Sequence, residues 1–361
     1  MATDGTYNVL DSGADPTGAA DSTRAFQTSI NLASAAGGGT VIVPPGSYTF
    51  AGVLTLPPFV AVKGTEPGAT EVTNFAGGAT AQAAILSLSN ASSPFISSSG
   101  HTTLEDLVFY YPNQPTGNST PIVYAPTIQA TSGYNNFRRL YLPNPYDGIW
   151  LGPSAGNNCG RDVLRDIKMG VVGSVGIFID HTFDVSHIEN VQIWPFFGAG
   201  TNLAKYVYNN VYGILVGRAD NLMIRDSFVF ECKAGLVLTD SGDASIPAQF
   251  RGSYGQGTNL SFDTCQQGGV IAYSSQPASG WMFTNLLIAG SSQDPNGSHP
   301  ATGINLSPGG VTGGNPPQVL VVGGNIYGDY NAYTSKGSAS DVLKLVGVFE
   351  NSTLSAYGAD G

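Results

Sequence analysis

Apolar and polar positions along the chain change period near residue 40. Phe26, Ile30 and Ala33 share one face at 3.6-residue spacing, Asp21 stands where an N-cap is wanted, and Gly37-Gly38-Gly39 stops the pattern. This predicts a short helix. Beyond it the period falls to two: Thr40 to Val43, Tyr48 to Phe50, Val53 to Leu56 and Val60 to Val62 read as strands, with Pro44-Pro45-Gly46 as a turn. Strands this short and this closely spaced exclude a doubly wound sheet.

Two patterns then recur along residues 104 to 306. The first is an apolar residue, a charged or polar residue and a turn residue: Leu104-Glu105-Asp106, Phe137-Arg138-Arg139, Leu164-Arg165-Asp166, Ile188-Glu189-Asn190, Ile224-Arg225-Asp226, Phe262-Asp263-Thr264 and Phe283-Thr284-Asn285. The second is Gly-apolar-x-apolar, led by Gly148, Gly176, Gly213, Gly235, Gly269 and Gly303 at steps of 28, 37, 22, 34 and 34 residues. The strand pair repeats while the turns absorb insertions.

A unit of two or three short strands cannot bury its apolar side chains alone, and stacking at about 4.8 Å merges the inward residues of successive coils into one core. The chain is therefore predicted to be all-β, a right-handed single-stranded parallel β-helix with a short N-terminal capping helix. Ile149, Ile177, Ile214, Leu236, Val270 and Ile304 form one inward column, and Leu151, Ile179, Val216, Leu238, Ala272 and Leu306 a second. The position between them (Trp150, Phe178, Leu215, Val237, Ile271, Asn305) faces outward and is too apolar to stand bare, so a loop, a ligand or another subunit should cover it.

Composition narrows the function. With 14 Lys+Arg against 25 Asp+Glu, the net charge of −11 repels a phosphate backbone, which excludes nucleic acid as a partner. Cys159, Cys232 and Cys265 make neither a C-x-x-C pair nor an even disulfide framework. No apolar run has the length of a membrane span, and the first residues lack the features of a secretory signal.

Residues 7 to 64 resemble the opening module of the pectate-lyase-like superfamily of right-handed parallel β-helix proteins. The likeness is carried by Tyr7-Asn8-Val9, Gly13-Ala14-Asp15, Asp21-Ser22-Thr23-Arg24-Ala25-Phe26-Gln27, Gly37-Gly38-Gly39-Thr40-Val41, Val43-Pro44-Pro45-Gly46-Ser47-Tyr48, Leu56-Pro57-Pro58 and Lys63-Gly64. The resemblance implies a single domain over 1–361, with the cap module at 7–64, coils over 65–350 and a tail at 351–361. It also implies an extracellular or virion-associated setting, because that module opens polysaccharide lyases, glycoside hydrolases, alginate epimerases and bacteriophage tailspikes. Chemistry varies among those proteins, so activity has to be argued from residues. Of the carboxylates that polygalacturonase-like members carry around the glycine, only Asp147 fits, and the basic calcium-binding groove of the pectate lyases is not evident.

Glu105, Arg138, Arg165, Glu189, Arg225 and Asp263 read as a solvated ladder of ion pairs, and Asp106, Asp166, Asn190, Asp226 and Asn285 as turn residues bonding the next coil. The candidate catalytic acids lie around the glycine-led strands. Asp180 and Asp240 follow theirs, with Gly217 leaving a gap between, while Glu231 and Asp147 precede theirs. Paired carboxyls at such separations suit glycoside hydrolysis, one donating a proton and the other activating water or attacking the sugar. Trp150, Trp194, Tyr206 and Tyr208 offer faces for sugar rings, with His181, Arg218 and Lys233 as polar contacts, and the insertion from Trp194 to Tyr212 should project beside Asp180 and Asp240. Asp180, His181, Asp184 and His187 match no strong metal motif, so no metal site and no cofactor is expected, calcium being the one ion left open. A scarcity of basic residues favours hydrolysis of a neutral glycan over β-elimination of a polyuronate. The rival is a non-enzymatic glycan-binding fibre, a homotrimer closed over Phe178, Leu215 and Val237.

Overall fold

A computed structural model describes residues 5–65, 82–90, 92–115, 120–195, 202–276, 279–290, 302–306, 315–328, 331–335, 342–352 and 358–359. Its strands build two long parallel sheets, one of 15 strands and one of 11, wound as a right-handed parallel β-helix. The helix at Thr23–Ala35 closes the N-terminal end, burying Ala25, Phe26, Ile30 and Ala33. Ser22 rather than Asp21 occupies its N-cap, while the Asp21 carboxylate accepts from the Thr23 N–H at 3.0 Å. Among the described residues no helix is long and apolar enough to cross a membrane.

The smaller sheet holds the glycine-led strands in the anticipated register. Ile149 pairs with Ile177, Ile177 with Ile214, Ile214 with Leu236, Leu236 with Val270 and Val270 with Ile304. These residues are at most 1% exposed and belong to one core cluster running through the coils. In a parallel ladder each strand repeats the in/out alternation of its neighbour, so a period of two in sequence becomes continuous apolar columns in space. Glycine ahead of each strand is a steric requirement at Gly235, where an added Cβ would lie 2.3 Å from the Phe262 ring.

The chain's own side chains bury the outward middle column at Val237 and Ile271, while Trp150, Phe178 and Leu215 stay half-buried. Val237 and Ile271 are 3% and 1% exposed and cluster with half-buried Tyr212, Leu215 and Tyr273. Trp150 and Phe178 close the earlier coils edge to face at 5.4 Å.

The larger sheet contains strands that bend at a residue of positive φ: Asp106, Arg139, Asp166, Asn190, Asn259 and Asn285, with Asp226 at the corresponding break between two strands. Left-handed backbone favours Asn and Asp, and here their side chains also bond from coil to coil. Asn190 Nδ2 donates to Asp166 Oδ1 at 2.7 Å, Asn259 to Asp226 at 2.8 Å and Asn285 to Asn259 at 2.9 Å. Beside this line runs the ion-pair ladder: Glu105 accepts from Lys63 at 3.3 Å and Arg138 at 2.8 Å, and Glu189 from Arg165 at 2.7 Å and Arg225 at 2.9 Å. Asp263 is not part of it. Thr258 occupies the ladder position and Asn259 the corner, whereas Phe262-Asp263-Thr264 lies one bend later in the coil. Gly257 stands ahead of Thr258 where the other coils carry an apolar residue, so the sequence marks the later bend at Phe262 instead.

Candidate functional site

The four acids singled out from sequence lie at opposite edges of the smaller sheet. Asp147 and Glu231 precede its strands, and Asp180 and Asp240 follow them. At about 3.3 Å per residue, a five-residue strand separates these edges by roughly 15 Å.

Asp180 is 5% exposed and its carboxylate is occupied: Oδ1 accepts from the backbone N–H groups of His181 and Arg218, both at 2.8 Å, and Oδ2 from the Ser241 hydroxyl at 2.9 Å. The gap expected at Gly217 is real, and the Asp180 carboxylate fills it, since a Cβ there would lie 3.0 Å from Cγ. Asp180 and Asp240 do not form the stacked pair expected. Ile179, Val216 and Leu238 are in register, so Asp180 aligns with Gly217 and Thr239, while Asp240 follows in the column of His181 and Arg218. One residue of offset after a strand turns a side chain to another face.

The remaining residues at this edge engage one another. His181, 3% exposed, sets Nδ1 2.8 Å from the Gly152 carbonyl and Nε2 3.1 Å from Asp243. Arg218 forms a two-pronged pair with Asp220 and lies over the Phe183 ring at 5.4 Å. Asp184 pairs with Arg161 at 2.5 Å, and His187 lies 3.6 Å from Glu189, so the four residues considered for a metal face different partners. Among the described residues no three His, Cys, Asp or Glu converge as a metal would require.

The described part of the insertion lies on the other edge from the one anticipated, because it enters the chain before a glycine-led strand rather than after one. Its helix, Asn202–Asn210, brings Tyr206 to Tyr146 and Asn209 Oδ1 to Gln266 Nε2 at 2.5 Å. Tyr208 is wholly buried and cannot serve as a sugar platform. Phe196 and Phe197 are outside the described residues. Trp150 sits on the outer face of the smaller sheet beside Phe178, where no candidate acid accompanies it. Asp147, 5% exposed, links coils by accepting from the Ser174 hydroxyl at 2.5 Å and the Val175 N–H at 2.9 Å; burial pushes its carboxyl up, opposed by those bonds.

At this leading edge the structure joins two acids whose meeting sequence reasoning missed. Phe230 pairs with Asp263 across one coil step, and the Glu231 N–H donates to the Asp263 carbonyl at 3.1 Å. Glu231 thus aligns with Thr264, one residue past Asp263, and the two acids adjoin the same corner because the backbone turns left-handed at Glu231 (φ of 49°). Burial pushes the Glu231 carboxyl above the usual carboxylate range, and the negative charge of Asp263 adds to it. Asp263 Oδ1 accepts from the Thr264 hydroxyl at 2.8 Å. Aromatic rings border the pair: Trp194, 37% exposed, lies 6.3 Å from Phe230, and Phe228 stacks on Phe230 at 6.1 Å. Lys233, two residues beyond Glu231, holds Nζ 4.8 Å above the Tyr212 ring. An alignment on the cysteines, Phe230-Glu231-Cys232 over Asp263-Thr264-Cys265, would have brought both acids to one corner, one residue out of register, since both cysteines are buried at equivalent positions.

Comparison with known proteins agrees with the architecture. Residues 6–110 match the family described as rhamnogalacturonase A/epimerase, pectate lyase-like. No curated protein matches the chain by sequence. Among solved structures, the tailspike protein of E. coli bacteriophage HK620 in complex with pentasaccharide aligns over 97% of this chain at 15% identity with a TM-score of 0.64. A double mutant of that tailspike with pentasaccharide aligns over 98% at 13% identity with a TM-score of 0.67. The catalytic unit of an alpha-1,3-glucanase from Streptomyces thermodiastaticus superposes more loosely, over the whole chain at 16% identity, with a TM-score of 0.48 and 70% of its own length covered. The chain spans 64% and 65% of the length of the two tailspike chains. Its fold is the pectate-lyase-like right-handed parallel β-helix.

Proposed function

We propose that this protein cleaves a polysaccharide by glycoside hydrolysis, with Glu231 and Asp263 as the acid pair. The observation that carries this reading is the Glu231 carboxyl, raised by burial and by a second carboxylate one coil away, beside exposed Trp194. A carboxyl raised in this way holds its proton more tightly than an ordinary carboxylate and can give it to the glycosidic oxygen as the C–O bond breaks. Asp263 would accept the proton of the water that attacks the anomeric carbon, leaving two hydroxyl-ended fragments. Trp194 and Phe230 would take the apolar faces of sugar rings on either side of the scissile bond. The chemistry is complete with two carboxyls and water. Binding of pentasaccharide by the tailspike with the same fold supports a glycan as ligand, and with it a place of action outside the cell or on a virion.

The test is reducing-end release from dextran, xylan, galactomannan, polygalacturonate and a bacterial surface polysaccharide. Glu231→Gln and Asp263→Asn should each lower the rate on the cleaved polymer by about 10²–10⁴-fold, the usual scale of acid–base catalysis. Wild-type rates in both variants would overturn the assignment. A protein that binds but never cleaves would favour the fibre, and an unsaturated, ultraviolet-absorbing product would favour a lyase.

A further inference from the structure

Thr264 follows Asp263 with φ of 50°, in the left-handed region, and is 2% exposed. A β-branched residue is a genuine outlier there, because its branched Cβ crowds the adjoining backbone. At most of the described bends of the larger sheet that conformation falls to Asp or Asn, with Arg139, Gly323 and Gly347 at others, and none of them is β-branched. Glu231 is left-handed as well, at φ of 49°, so the corner carries both an acid and a Thr in strained backbone on adjacent coils. The Thr264 N–H donates to the Ala289 carbonyl at 2.8 Å, which anchors the residue to the following coil and leaves the hydroxyl free to point back. That hydroxyl donates to Asp263 Oδ1 at 2.8 Å, the side-chain hydrogen bond that holds this carboxylate.

We infer that Thr264 is a positioning residue: its hydroxyl occupies Oδ1 of Asp263 and so presents Oδ2 to the water that attacks the sugar. The inference rests on the acid-pair reading above. Strain concentrated beside a reacting group persists only where the surroundings impose it, and here the imposed group is the donor. A Thr retained for packing alone would be replaced by Val without consequence for turnover. A Thr retained for its donor tolerates Ser, which keeps the hydroxyl and relieves the branching.

The experiment measures kcat, KM and the thermal midpoint for wild type, Thr264→Val, Thr264→Ser and Glu231→Gln on the polymer from that panel which wild type cleaves. Thr264→Val should lose kcat by about tenfold or more, the scale of a hydrogen bond to a charged group, with KM and thermal midpoint held. Thr264→Ser should stay within about twofold of wild type, because the donor that sets kcat is kept. Wild-type turnover in Thr264→Val, while Glu231→Gln is inactive, would overturn the positioning role alone. Full activity in Glu231→Gln would overturn the acid pair and this role together, as would a wild type inert on every polymer. Equal losses in Thr264→Val and Thr264→Ser, accompanied by a lower midpoint, would assign Thr264 to packing and refute the inference.

Discussion

Asp162 provides the sharpest test of how this solenoid tolerates charge. It is fully buried, its Oδ1 accepts from both the backbone N–H and Nδ2 of Asn135 at 2.8 Å, and its Oδ2 has no partner. Burial pushes the carboxyl up to about 7 from 3.8, outweighing the two Asn135 bonds that favour its charged form. Because the folded state holds the proton more tightly than the unfolded state, stability is fullest below the unfolded value. It falls as pH rises from about 4 to 7 and is flat beyond. A separation of about three units at 1.36 kcal/mol each gives a loss of about 4 kcal/mol between pH 4 and pH 8. Asp162→Asn keeps an oxygen for Asn135 and never ionises, so this component should vanish. Urea unfolding of wild type and variant at pH 4 and pH 8 measures it as a difference of differences, in which the other titrating groups and any fixed cost of the substitution cancel. A variant that loses as much stability as wild type over that interval would refute the reasoning.

Three further outcomes follow from the geometry. Gly217→Ala should destabilise the fold by about 2–4 kcal/mol, because the new Cβ meets the Asp180 carboxylate and strands its three donors in the interior; a thermal midpoint within a degree of wild type would contradict this. Glu189→Gln should cost only about 1 kcal/mol although it pairs with both Arg165 and Arg225, since those side chains are 46% and 55% exposed; the difference should shrink further in 0.5 M salt, roughly three times the physiological ionic strength, and a salt-independent loss would refute it. Asp263→Asn should lower the pKa of the Glu231 carboxyl, because the neighbouring charge that opposes its ionisation is gone while burial remains; carboxyl carbon NMR titration reads this, and an unmoved or higher value would remove Asp263 as a neighbour of consequence.

Much of the fold was legible because a parallel β-helix repeats its local code. The capping helix is marked by Phe26, Ile30 and Ala33, and the inward columns by the Gly-apolar-x-apolar stretches. The coil-to-coil ladder shows itself in Asp166, Asn190, Asp226 and Asn285, each placed after an apolar residue and a charged or polar one. The chemistry was less legible. Glu231 stands out for its place ahead of Gly235, but Asp263 reads as part of the ion-pair ladder, and Asp180, one of four candidate acids, is a buried brace.

The sequence by itself determined the strand alternation and the stacked apolar columns, because each depends on spacing within a few residues, and its composition set the acidic, cation-poor balance. Only the tertiary structure decided which acids share a corner, which edge the helix Asn202–Asn210 lines and which side chains bury Val237 and Ile271 of the outer apolar column. The physical reason lies in the bends. Within a strand the two-residue period fixes where a side chain points, but at a corner one inserted residue or one left-handed φ redirects it, and that choice is set by contacts with the next coil, some 30 residues away.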